Sequence, residues 1–316
     1  MTDRLTDGRL LFVPLETVAQ DRLLAAWNDA ADWDPLTPAV LAEKLEAEPP
    51  EARAVGRAAI VEGVVAGWAF GVLRESSEGR RGVVKMLAVV PAFRGRGIGS
   101  GLLAAVESSL TKAGATAIRF GESAPNYLVP GVDLRCEPLL ALLEQRGYAR
   151  IGTTVNMSVD LLAETFSTSA DEVRLQADGI VVRRAGATDR TAIDQLLERQ
   201  WPSWRPEVST ALSRTPPAVH VALSSAGGNV AGFAAYDGNN VGTGWFGPMG
   251  TATVWEGRGI GRVLLRRCLH DLRSQSLSHA IIPWVGPVAF YERHAAARVD
   301  RTFVRLEKRL TAAEPA

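Results

Sequence analysis

Cysteine is scarce in this chain. Cys136 and Cys268 are the only two, they form no CxxC pair, and the four histidines (His220, His270, His279, His294) are scattered. A disulfide framework and a zinc site of the usual ligand spacing are thereby excluded, and no metal is expected. An excess of one charge is missing too, since 35 Lys and Arg balance 35 Asp and Glu. A net charge of zero gives no general pull toward nucleic acid or an anionic membrane, so neither is expected as a partner and a small molecule is. The most apolar stretch, 60–73, holds Glu62 and three glycines. It is too short to span a bilayer and reads as two strands turning at Glu62-Gly63. The first ten residues carry Asp3, Arg4, Asp7 and Arg9 without an apolar segment, so no secretory signal is expected and a cytoplasmic location follows.

What the chain does have is size and repetition. At 316 residues with 47% hydrophobic composition it can build two domains, each with its own core. Arg94-Gly95-Arg96-Gly97-Ile98-Gly99 returns 162 residues later as Glu256-Gly257-Arg258-Gly259-Ile260-Gly261. Each copy runs into an amphipathic stretch of helical period, Ser100–Glu107 and Arg262–Leu269. The context repeats as well. Strand-like runs precede the copies at 83–90 and, looser and richer in glycine, at 242–254. Short apolar strands follow at 115–120 and 280–285, then helices that begin near Pro138 and Pro287, where proline suits a first helical turn. The first of these helices ends at Arg146-Gly147-Tyr148, a glycine C-cap signal that weakens to alanine at His294-Ala295-Ala296.

Both halves open alike, with a strand (9–13; 180–184) and then an amphipathic helix (18–30; 189–200). The polar stretch Glu164–Glu172 reads as a linker, which puts the boundary near Ser169. The expected fold is α+β, two tandem units at 1–168 and 169–316, each a mixed central sheet flanked by helices.

A strand that ends in closely spaced glycines and opens a helix gathers free backbone N–H groups and the positive end of the helix dipole at one point. The natural ligand there is a phosphate or pyrophosphate, and glycine lets the backbone approach it without a Cβ in the way. The spacing is not that of a dinucleotide fingerprint, because Ser100 and Leu102 stand where a third glycine is needed. No G-K-[ST] tripeptide exists, so a P-loop is also excluded.

Val89-Val90-Pro91-Ala92-Phe93-Arg94-Gly95-Arg96-Gly97-Ile98-Gly99 resembles the acyl-CoA signature of the GNAT superfamily of N-acetyltransferases, V-x-P followed by R/Q-x-x-G-x-G/A at a helix start. The first half matches that pattern fully. The second departs from it at Thr253, where proline is usual, and at Glu256, where Arg or Gln is usual. The order of elements in both halves resembles that of tandem members of the family. The resemblance implies acetyl-CoA as co-substrate, with its pyrophosphate on the turns Arg94, Gly95, Arg96, Gly97, Ile98, Gly99 and Gly257, Arg258, Gly259, Ile260, Gly261, Arg262. Its pantetheine arm would lie along Leu87-Ala88-Val89 or Met249-Gly250-Thr251. A carboxylate about 7 Å from a phosphate charge costs roughly 2 kcal/mol at an effective dielectric near 20. Glu256 therefore predicts weakened binding at the second turn, unless it serves as a helix cap.

The resemblance further implies a tyrosine on the helix after the next strand, giving a proton to the departing thiolate. Tyr291 takes that place in the second half and Leu143 in the first. The ordinary pKa values are near 10 for a phenol and near 8.5 for a free thiol. The second half is thus expected to be the catalytic one, with the first a structural or CoA-binding relic. The expected reaction is acetyl transfer to the primary amine of a small molecule, with O-acylation, a longer acyl donor or a non-catalytic acyl-CoA-binding module as alternatives. Trp201, Trp204, Trp245 and Phe246 are candidate acceptor walls, His220 and Asp237 candidate bases, and the segment 121–133 reads as an interdomain loop.

Overall fold

The computed structural model describes residues 10–76, 79–225 and 228–310. Its contacts divide the chain into two compact units, one of residues up to Thr153 together with those from Phe303 onward, the other Thr154–Thr302.

The first unit holds β1 (Leu11–Pro14), α1 (Gln20–Ala30), α2 (Pro38–Glu46), β2 (Arg53–Val61), β3 (Val64–Ser76), β4 (Gly79–Val89), α3 (Ile98–Lys112), β5 (Ala117–Phe120), β6 (Val132–Asp133), α4 (Glu137–Gln145) and the start of β7 (Ala149–Asp160). Strands β1 to β4 form an antiparallel sheet, with β2 and β3 turning at Glu62-Gly63. Arg9, where the first strand is expected to begin, lies outside the described residues. Strand β5 adds parallel to β4, but only from Arg81↔Ala117 to Val84↔Phe120. Apolar side chains alternate across the sheet, so each face has its own core. Leu102, Leu103, Val106 and Leu110 of α3 pack on one face with Leu140 and Leu143 of α4. Leu23 and Trp27 of α1 pack on the other with Val40, Leu41, Trp68 and Met86. At about 1.5–3 kcal/mol for each fully buried large apolar side chain, these faces are what hold the helices to the sheet.

The second unit repeats the plan with α5 (Ser169–Ala177), β8 (Ile180–Arg184), α6 (Arg190–Gln200), α7 (Arg205–Leu212), β9 (Val219–Ser224), β10 (Val230–Tyr236), β11 (Phe246–Thr251), α8 (Ile260–Ser274), β12 (His279–Val285), α9 (Val288–Ala295) and the start of β13 (Arg298–Arg309). Strands β8 to β11 are antiparallel. Strand β12 pairs with β7, and between β11 and β12 there is a single parallel bridge, Trp245↔Ile281.

Several expectations change. The stretch Glu164–Glu172 is not a linker throughout, because α5 begins at Ser169; this helix is polar since Leu175 is its one buried residue and its acidic side chains pair with arginines of α8. The strand expected over 242–254 shortens to β11, because Gly242 and Gly244 adopt left-handed conformations at φ 78° and 80° and residues 253–255 form a 3-10 turn. The segment 121–133 packs inside the first unit, where Asn126 donates to the Glu43 carbonyl at 2.8 Å. The compact units also cut the chain elsewhere than at 168/169. The last strand crosses back, so that Glu307–Arg309 of β13 pair with β5, and β7 runs on into the second unit to pair with β12. Among the described residues, no helix is long and apolar enough to cross a membrane.

Candidate functional site

Two strand-to-helix turns are built alike. After β4 come a 3-10 turn at Pro91–Phe93, Arg94, and Gly95 at φ 74°, with Gly97 at φ 77° as the residue before α3. After β11 come Thr253–Trp255, Glu256, and Gly257 at φ 75°, with Gly259 at φ 83° before α8. These left-handed conformations explain the glycines. No side chain caps either helix, so Glu256 is not a cap and the first N–H groups of both helices are left for a ligand. A Cβ at Gly95, Gly97 or Gly257 would meet nothing within 4 Å, so the space above the first turn can admit a phosphate, while in the second turn Gly259 lies under a side chain of α5. Ile98 and Ile260 point into the cores at 2% and 1% exposure and fix the helix starts.

The arginines of the two turns differ. Arg94 donates to the Val89 carbonyl at 2.9 Å and the Ala30 carbonyl at 2.8 Å, tying the end of β4 to the end of α1. Arg96 lies over Phe93 at 5.5 Å and Arg258 over Trp255 at 4.9 Å. Arg262 pairs with Asp171 at 3.3 Å. Nothing in the sequence marks Arg174 of α5, yet its Nη1 donates to the Arg258 carbonyl at 3.1 Å and its Nη2 lies 2.6 Å from where a Cβ on Gly259 would be.

The strands leading into the turns are open on one side. Strand β4 loses its β5 partner after Val84, so among the described residues Leu87-Ala88-Val89 has a ladder only with β3. Among the described residues Met249-Gly250-Thr251 likewise has a ladder only with β10. An extended chain bearing amide groups fits such an edge.

Where the strands part, the units diverge. Phe70 pairs with Met86 and Gly71 with Val84, so Lys85 is the extra residue of a bulge. Its side chain is fully buried and its Nζ donates to the Lys44 carbonyl at 2.6 Å and to Glu48. Glu48 also pairs with Arg74, Arg74 donates to the Ala124 carbonyl, and Lys44 donates to Asn126 Oδ1 at 3.0 Å. Burial pulls the Lys85 pKa down to about 7, with Glu48 opposing. The residue 162 positions on is Gly247, at φ 116° with nothing within 4 Å of a built Cβ. One unit fills this place with a buried polar cluster; the other leaves it open.

Tyr291 projects from α9 into the second unit at 8% exposure, its ring 6.3 Å from Phe246 and 5.2 Å from Phe290. Among the described residues no hydrogen bond or charge shifts its hydroxyl, only burial. Burial pushes its pKa up to about 12, which keeps the proton on the oxygen at neutral pH. The neighbouring Phe290, with Met249 and Thr251, surrounds Gly261 in the first turn of α8 at 3.3–3.6 Å from a built Cβ. Tyr291 thus stands beside the helix that the glycine turn opens. Leu143, in the matching place on α4, is wholly buried and apolar.

Of the candidate acceptor walls, Trp201 lies against Gly250, within 2.6–2.9 Å of a built Cβ, and stacks on Trp204 at 5.3 Å and 13°. Both rings are partly exposed, whereas Trp245 and Phe246 are 5% and 1% exposed and belong to the core. His220 is not free to act as a base there: its Nε2 meets Asp271 Oδ2 at 2.6 Å, near the far end of α8, with Arg184 on the same oxygen at 2.7 Å. Asp237 accepts from the Gly242 amide at 3.1 Å and closes its own turn. Among the described residues, no group of three or more His, Cys, Asp or Glu could hold a metal.

The acetyltransferase (GNAT) family matches residues 14–127 and 190–296. Among solved structures, 97% of this chain superposes on a GCN5-related glucosamine N-acetyltransferase region of a fungal multidomain GH3 β-N-acetylglucosaminidase, at 17% identity and a TM-score of 0.80. The match covers 39% of that longer chain. A tandem GNAT protein from the clavulanic acid biosynthesis pathway matches at 18% identity over 97% of this chain and 100% of its own, with a TM-score of 0.71. A GCN5-related N-acetyltransferase from Sphaerobacter thermophilus matches at 18% identity over 97% of both, with a TM-score of 0.66. At these identities the likeness is one of fold. A comparison with curated protein sequences gives no match.

Proposed function

The chain belongs to the GNAT family of acetyltransferases, with the family domain in both halves, and from this premise we propose that it transfers an acetyl group from acetyl-CoA to the primary amine of a small molecule, using its second unit. The family implies acyl transfer from acyl-CoA; the acetyl group, the amine acceptor, the cytoplasmic setting and the assignment to one unit are our reading. So is the seam of the duplication near Ser169, between copies at 1–168 and 169–316.

The observation that carries the assignment is the contrast at the parting strands. The second unit has Gly247 with open space and a protonated Tyr291 hydroxyl. The first has Lys85 locked to Glu48 and a leucine at position 143.

The co-substrate supplies an activated acyl group on a thioester. This chain's residues do the rest. The N–H groups of Gly257 to Gly261 hold phosphate oxygens, aided by the dipole of α8. The open edge at Met249-Gly250-Thr251 holds an amide-bearing arm in line. The acceptor nitrogen, which must arrive unprotonated, bonds to the acyl carbon as the carbon–sulfur bond breaks; Tyr291 gives its hydroxyl proton to the departing sulfur, and the proton that the nitrogen sheds on becoming an amide restores the hydroxyl. Trp201 and Trp204 offer flat apolar surface on the acceptor side.

Tyr291→Phe keeps the packing and removes the proton. Turnover, read as free thiol released with a panel of amines, is expected to fall about a hundredfold, the low end for a general acid. Undiminished release would remove Tyr291 from the mechanism.

A further inference from the structure

The second glycine turn has lost the arginine that organises the first. Arg94 reaches from its turn to two backbone carbonyls, and the aligned residue Glu256 offers a negative charge instead. With Arg262 paired to Asp171, the side chains around the second turn would nearly cancel as Glu256 against Arg258. Such a turn is a poor host for a diphosphate.

A different arginine occupies the gap. We propose that Arg174 of α5 is the phosphate-binding arginine of the second turn, standing in for the one missing at position 256. This rests on the reading that the second turn holds acyl-CoA. Three observations support it. Arg174 Nη1 donates to the carbonyl of Arg258, between the two left-handed glycines, and its Nη2 lies over Gly259, the residue that opens α8. The helix that carries it is anchored without it: Arg267 grips Glu172 through two bonds of 2.8 Å, and Arg262 pairs with Asp171. The guanidinium also keeps donors to spare, since its ion pairs with Asp171 and Asp178 are both long, at 3.8 Å, and the side chain is 49% exposed. A fork with one prong on the turn's carbonyl and the other over Gly259, in a side chain half open to solvent, suits an incoming phosphate oxygen.

In the opposite arrangement Arg174 would act as a plug that the ligand must displace. Binding measurements separate the two. The first turn is disabled by Gly97→Asp, which sets a carboxylate where the phosphate would sit and which tolerates positive φ better than most residues. Calorimetry with CoA on the full chain then reads the second site alone. Arg174→Gln in this background is expected to weaken CoA binding about tenfold. Adding Glu256→Arg is expected to restore most of that loss, a rescue that a merely structural role for Arg174 would not give. Unchanged or tighter binding in Arg174→Gln, or failure of Glu256→Arg to rescue, overturns the proposal. If the Gly97→Asp chain binds no CoA at all, the reading of the second turn falls and takes this inference with it.

Discussion

At the residue scale burial sets the proton affinity of two side chains, Tyr291 and Lys85. Tyr291 is legible in the sequence because a tyrosine stands on the right helix. That its ring packs against Phe246 and Phe290 is something one-dimensional spacing does not carry. Lys85 is invisible there, since a lysine inside an apolar strand reads as an outward residue until Lys44, Glu48 and Asn126 converge from α2, from the loop after it and from the loop after β5. Its folded pKa of about 7 lies below the ordinary 10.5. Between those values the unfolded chain holds a proton that the folded chain has released, so this group makes stability rise with pH across that window. Below pH 7 its full cost is present, and every tenfold loss of proton affinity on folding corresponds to about 1.4 kcal/mol. Thermal melts at pH 7 and pH 9.5 are therefore expected to converge in Lys85→Met relative to the wild type. An identical pH response in both would mean that Lys85 is not strained by its burial.

At the element scale the glycine turns are the strongest signal, because positive φ at four points leaves little choice of residue. Helix ends are harder to read. The alanine at 296 suggests a weakened C-cap, yet Ala296 takes the left-handed conformation at φ 50° regardless. Exposed alanine pays for that geometry at about 1 kcal/mol, so Ala296→Gly is expected to raise stability by about 0.5–1 kcal/mol in urea melts. The reverse change, Gly147→Ala at φ 86°, is expected to lower it by a similar amount. Helix α5 escapes a reading of the sequence because its charges, taken alone, look like those of a linker. They are complementary to Arg262 and Arg267, 90 or so residues away.

At the scale of the whole molecule the duplication is plain in the sequence, but the exchange of final strands is not. Either copy of a strand satisfies the same local pattern, and only pairing shows which sheet it joins. Phe303, Val304 and Leu306 of β13 are at most 1% exposed, and Val304 and Leu306 lie in the core of the first unit. A fragment of residues 1–168 lacks them. It is expected to melt without a cooperative transition, and a sharp two-state melt would show that the first half completes its own core. Adding residues 298–310 as a separate peptide is expected to restore cooperativity.

The central claim, that the second unit does the chemistry, is tested most directly by disabling the two turns one at a time. Free thiol release with a reactive amine is compared between Gly97→Asp and Gly259→Asp, each at a left-handed position that opens its helix. Turnover is expected to survive the first change and to be lost with the second. Loss with Gly97→Asp and survival with Gly259→Asp would contradict the account.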